Sequence, residues 1–206
     1  MTISGWLALF KEHIDIKIFQ INHLKLLTSL SDSSLRVSLS RLTKNNTLKR
    51  VCRGFYANPL NPPTLEEISA QIYQPSYISL ESALSSYGIL SQIPRVLTCV
   101  TTQLPHVFKT GFGTIEYRQV KGPYFTGFVK KNAHCVAQKE KAVADYLYLS
   151  PAKGRAQKLA GLDMEGVNLK RLRKYLKKMA MSQDTPGVSG GTRLTPNSIR
   201  VPGISQ

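Results

Sequence analysis

Residues 20–56 read QINHLKLLTSLSDSSLRVSLSRLTKNNTLKRVCRGFY, and they constrain the fold more than any other stretch. Leu26, Leu27 and Leu30 give way to the polar run Ser31, Asp32, Ser33 and Ser34. Ser31 or Asp32 can accept a hydrogen bond from the free N–H groups that open a helix, so one of them is the expected N-cap. Leu35, Leu39 and Leu42 then recur at helical spacing and mark one face. Arg36, Ser40 and Lys44 share a different face, with Arg41 beside it. Asn45-Asn46 predicts a turn, because asparagine tolerates the left-handed conformation. Leu48, Val51 and Phe55-Tyr56 flank Lys49, Arg50, Arg53 and Gly54, which predicts a β-hairpin carrying three cationic side chains.

A short helix, a polar turn, a second helix and a basic hairpin follow one another in a winged helix-turn-helix. In such a unit the second helix enters the DNA major groove and the hairpin meets phosphate. Arginine can bond guanine edges, and serine and lysine can reach bases or phosphates. The expected contact residues are Ser33, Ser34, Arg36, Ser40, Arg41 and Lys44 on the helix, and Lys49, Arg50 and Arg53 on the hairpin. Trp6, Leu7, Leu9 and Phe10 predict a first helix that packs on this unit.

The net charge of +16 over 206 residues fits a nucleic-acid partner. Its distribution is uneven: residues 1–60 and 151–181 are strongly basic, and 61–150 are nearly balanced. No apolar run approaches the roughly 18 residues of a membrane span, so no membrane partner is expected. The N-terminus has no basic stretch ahead of its apolar residues, so no signal peptide is expected. Cys52, Cys99 and Cys135 are odd in number and widely spaced, which suits reduced, mostly buried thiols in a cytoplasm. The histidines have no partners at metal-ligand spacing, and His134-Cys135 reads as a strand end entering the core. No cofactor is expected.

Asn58, Pro59, Asn61, Pro62 and Pro63 predict a boundary after the hairpin. The fold class expected is α+β. A winged helix-turn-helix over 1–60 precedes a small mixed α+β domain over 61–181 and a disordered tail over 182–206. Thr64 with Glu66 and Glu67 predicts a helix start. Ser79 predicts a second N-cap, and Gly88 the stop of that helix. Residues 96–102 are strand-like. Residues 112–129 predict a hairpin or meander that turns at Gly122-Pro123. Residues 138–149 return to helix, with Ala142, Val143, Tyr146, Leu147 and Leu149 inward. Glu140 and Asp145 beside Lys139 and Lys141 read as solvated ion pairs. No phosphate-binding glycine loop or nucleophile–base constellation is present, so catalysis is not expected. Residues 168–181, NLKRLRKYLKKMAM, predict a basic helix with Leu169, Leu172, Leu176 and Met179 on one face. That helix suits packing on the second domain, a second DNA-backbone contact, or a toxin or membrane contact. The tail holds too little apolar surface to offset its chain entropy.

Several landmarks occur in one order: Arg53-Gly54-Phe55-Tyr56, then Tyr77-Ile78-Ser79-Leu80-Glu81-Ser82-Ala83-Leu84 through Tyr87-Gly88-Ile89, then Thr101-Thr102, then VAQKEKAVADYLYL over 136–149. Over about residues 18–150 the chain resembles the AbiEi antitoxins of type IV toxin–antitoxin systems. The resemblance implies an N-terminal winged helix-turn-helix that represses its own promoter, with double-stranded DNA as partner. It also implies a second domain that antagonises a nucleotidyltransferase-like toxin without a tight complex. Arg36, Ser40, Arg41, Lys44, Arg50 and Arg53 carry over as DNA contacts. The other expectation is a winged-helix regulator whose second domain senses a ligand or mediates dimerisation.

Overall fold

The Thr2 hydroxyl opens the first helix, α1 (Ile3–Glu12), by accepting from the Gly5 N–H at 3.3 Å. The structure is a computed structural model and describes residues 1–150 and 159–181. The fold is α+β with two sheets. The region expected to be a disordered tail lies outside the described residues.

After α1 come β1 (Ile18–Gln20), α2 (Ile21–Thr28), α3 (Asp32–Lys44), β2 (Lys49–Cys52) and β3 (Phe55–Ala57). Ser29 ends α2 in the left-handed region at φ 52°. Ser31 caps α3, its hydroxyl accepting from the Ser34 N–H at 3.4 Å. Lys25 and Asp32 form an ion pair of 2.7 Å across this turn. Leu35, Leu39 and Leu42 are buried with Trp6, Phe10, Phe19 and Leu24 in one apolar cluster, as their spacing predicts. Leu7 stays exposed. The three strands form an antiparallel sheet in the order β1-β3-β2.

α4 (Leu65–Ile72) begins with a complete capping box: the Thr64 hydroxyl accepts from the Glu67 N–H, and the Glu67 carboxylate accepts from the Thr64 N–H. Beyond it, β4 (Ser76–Ile78), α5 (Leu80–Ser86), β5 (Leu97–Thr101), β6 (His106–Thr110), β7 (Gly113–Gln119), β8 (Phe128–Lys131) and β9 (His134–Ala137) precede α6 (Lys139–Tyr148) and α7 (Leu169–Met181). The strands make a mixed sheet in the order β6-β7-β5-β4-β9-β8.

The hairpin or meander expected across residues 112–129 does not form. β7 pairs antiparallel with β6 and parallel with β5, whereas β8 pairs with β9 at the other edge of the sheet. Gly122–Tyr124 is a single 3-10 turn that carries the chain between those positions. The His134-Cys135 pair opens β9, as expected of a strand end.

The solvated face expected on α6 is also absent. Glu140, Lys141 and Asp145 are buried, because α5 lies against one side of α6 and α7 against another. Lys141 is paired with Asp145 one turn on, with both side chains out of contact with solvent. The Tyr77 and Ser79 hydroxyls each donate to Asp145 Oδ2 at 2.9 Å. Ser79 sits at the N-cap position of α5 but makes no side-chain capping bond; its hydroxyl donates to Asp145, and the Ser82 N–H donates to the Thr98 hydroxyl at 3.0 Å instead. Burial pushes Asp145 up and Lys141 down, each toward its neutral form, and each partner's charge opposes that shift.

Leu172, Leu176 and Met179 of α7 are buried, and Leu169 packs beside them. Lys170, Arg171, Arg173, Lys174, Lys177 and Lys178 all face solvent. The basic helix therefore packs through its apolar stripe, and Arg171 reaches back to Glu140 and to Gln138.

The proline run after β3 is not a loose joint at its start. Asn58 is buried, and its side-chain amide donates to the carbonyls of Phe10, His13 and Ile16 at 3.2, 3.3 and 3.0 Å. Lys17 meets Glu67 at 2.6 Å. Ile18, Val51 and Ala57 belong to the same apolar cluster as Ile68, Ile78 and Ile115. Both sides of the proline run share one core.

Candidate nucleic-acid interface

α3 and the β2–β3 hairpin enclose a groove of about 440 Å³. Arg36, Ser40, Thr43 and Lys44 line it from the helix, and Arg50, Arg53, Gly54 and Tyr56 from the hairpin; Ile21 of α2 also lines it. Four of these residues are cationic and none is acidic.

Local chemistry sets each position. The leucine stripe fixes the rotation of α3, so the residues one turn apart on its other side, Arg36 and Ser40, must face out. The Thr43 hydroxyl donates to the Leu39 carbonyl at 2.7 Å, which ties that side chain to the helix and leaves the groove wall smooth. Gly54 takes φ 82° at the hairpin turn, a conformation that a side chain disfavours. Its carbonyl accepts from the Ile21 N–H at 2.8 Å, which anchors the tip of the hairpin to the start of α2.

The hairpin register shifts between Arg50 and Cys52. Arg50 precedes the shift, and adjacent strand residues face opposite sides. Arg50 stands opposite Tyr56 and enters the groove, whereas Val51 turns into the shared core. The Arg50 Nε–H donates to the Cys52 carbonyl at 3.1 Å, which holds the guanidinium along the strand. Burial pushes the Cys52 thiol up, with Arg50 opposing.

Of the nine residues expected from the sequence, five line this groove: Arg36, Ser40, Lys44, Arg50 and Arg53. The other four are exposed but stand apart from it. Ser33 and Ser34 lie at the start of α3, within hydrogen-bond distance of the Ser31 hydroxyl at 3.2 and 3.0 Å. Arg41 lies on the opposite shoulder of α3 from Arg36. Lys49 points the other way, its ammonium 4.2 Å from the centroid of the Phe112 ring. Thr43 and Tyr56 were not among the expected residues. Thr43 falls three residues after Ser40 and seven after Arg36, so its helical spacing marks the same wall. Tyr56 is nearly buried, and only its cross-strand pairing with Arg50 brings it there.

Among the described residues, no three His, Cys, Asp or Glu side chains gather where a metal ion could be held. No described helix is long and apolar enough to cross a membrane. No protein-family model matches this chain, and no curated protein matches it significantly.

Proposed function

We propose that residues 1–60 act as a winged helix-turn-helix, with α3 in the major groove of double-stranded DNA and the β2–β3 hairpin as the wing on the phosphate backbone. The observation that carries this reading is the groove in which Arg36, Ser40 and Lys44 meet Arg50 and Arg53 without a carboxylate. Such a surface releases counterions from DNA on binding and offers an arginine to a guanine edge. The chain acts by binding rather than catalysis. Glu140 and Asp145, its most enzyme-like acidic residues, are engaged by Arg171, Lys141, Tyr77 and Ser79.

In the fuller reading, the protein is a cytoplasmic antitoxin and autorepressor of the AbiEi kind. It represses its own operon through α3 and counters a nucleotidyltransferase-like toxin through residues 61–181, without a tight complex. Gel-shift titration on DNA upstream of its gene, at two salt concentrations, tests the DNA step. Arg36→Ala is expected to weaken binding by about 1–3 kcal/mol. Unchanged affinity in Arg36→Ala and in an Arg50→Ala, Arg53→Ala double variant would remove the assignment. Co-expression with the product of the adjacent reading frame tests the antitoxin step, and growth rescue is the expected result.

The contact of Val51 and Lys49 with the second part favours a second reading, a regulator whose residues 61–181 adjust DNA affinity on binding a ligand or a second copy. Failure of growth rescue together with retained promoter binding would select it.

A further inference from the structure

Val37 is an apolar residue on an otherwise polar surface. It is 49 % exposed and belongs to neither apolar cluster. Isolated exposed apolar side chains are common on proteins, so exposure alone says little. Its position says more. At about 100° per residue, Val37 lies roughly 170° around α3 from the centre of the Leu35, Leu39 and Leu42 stripe. It is therefore at the crown of the helix, with Ser33 and Lys44 along the same line. Arg36 and Ser40 fall on one shoulder and Arg41 on the other.

A helix that lies in a major groove with its leucine stripe against the protein presents its crown to the base edges. There the T·A pair differs from the others by an apolar group, the C5-methyl of thymine. A branched aliphatic side chain flanked by two arginines matches a methyl group beside hydrogen-bonding edges. We infer that Val37 reads the C5-methyl of a thymine close to the base pair contacted by Arg36. The inference rests on the proposal that α3 enters the major groove, and it adds a base identity to that proposal.

The test uses the full chain and a duplex enriched by it from a random-sequence library. Each thymine of the enriched motif is replaced in turn by deoxyuridine, which removes only the methyl group. Val37→Ser is the companion variant, because serine and valine have similar helix propensities and the site is exposed, so the fold is kept. For the wild-type chain, one thymine is expected to cost about fourfold in affinity when its methyl is removed, the worth of one buried methyl group. Val37→Ser should lose a similar factor on the thymine duplex and show no further loss on the deoxyuridine duplex. Equal deoxyuridine sensitivity in both proteins would assign the methyl to another residue and overturn the inference. So would a wild-type chain that binds an enriched motif with no thymine-methyl effect, and in that case the major-groove proposal would survive. A chain that enriches no motif and binds no duplex would remove the DNA proposal itself.

Discussion

The Lys49 ammonium stands 4.2 Å from the centroid of the Phe112 ring, so the first cation of the β2–β3 hairpin belongs to the contact with the β6–β7 hairpin and not to the groove. Its aliphatic stem lies against Gly111, where an added Cβ would come within 3.0 Å of Lys49 Cε. Lys49→Ala is accordingly expected to leave DNA affinity and its salt dependence close to wild type. Arg53→Ala should reduce the slope of log affinity against log salt by about one. Parallel titrations of the two variants check this. An equal loss of slope in both would place Lys49 on phosphate after all.

Asp145→Asn leaves the Lys141 ammonium buried without its partner, a change expected to cost about 3–5 kcal/mol. Urea denaturation followed by circular dichroism measures it. The combined change Lys141→Met, Asp145→Leu, Tyr77→Phe, Ser79→Ala should recover most of the loss, since it removes both charges together with the two hydroxyls that donate to Asp145. A single variant as stable as wild type would mean that water reaches the pair.

Burial raises the Glu67 carboxyl, but the Lys17 ammonium and the Thr64 N–H outweigh it and hold the group below the usual carboxylate range. A depressed carboxylate pKa contributes stability above the unfolded value, near 4.5, that is lost as pH falls through the folded value. Glu67→Gln should therefore be less stable than wild type at pH 7, by about 1 kcal/mol or less, because Lys17 is partly exposed. The gap should close as pH drops below about 4.5. Thermal melts at pH 7 and pH 3 give the comparison, and a gap that widens on acidification would contradict it.

Gly127 takes φ 78°, and a Cβ there would come within 2.6 Å of the Tyr175 hydroxyl and 3.0 Å of Lys141 Cγ. Gly127→Ala should destabilise by more than 1 kcal/mol, combining backbone strain with displacement of α7. Adding Tyr175→Ala should relieve the steric share and leave the strain. Melting temperatures of the single and double variants separate the two.

The local features were the legible ones. The leucine stripe of α3, a cap at Ser31 or Asp32 and the helix start at Thr64 are encoded within a few residues, and the structure has the stripe, the Ser31 cap and the Thr64 cap. Strand pairing was not legible. β7 finds its partners in β6 and β5, and nothing in FGTIEYRQV distinguishes that choice from pairing with the segment after Gly122. The buried charges of α6 misled for a related reason. Glu140, Lys141 and Asp145 carry the composition of a surface face, and only the placement of α5 and α7 on either side of the helix shuts out solvent. Within the groove, Arg36 and Ser40 followed from helical spacing and Arg50 from the alternation of its strand, but the ring that captures Lys49 is a tertiary fact.

The bulged hairpin has Arg50 on the groove side and Val51 in the shared core, one residue apart. A displacement of the β6–β7 hairpin that moves Val51 would be passed to Arg50 through one peptide bond. If two arrangements of that contact exist, DNA held by Arg50 and Arg53 favours one of them, and anything bound to residues 61–181 that favours the same one tightens DNA binding by the factor that DNA tightens its own. In that case β2 joins the two ends, and occupancy at one becomes measurable as affinity at the other.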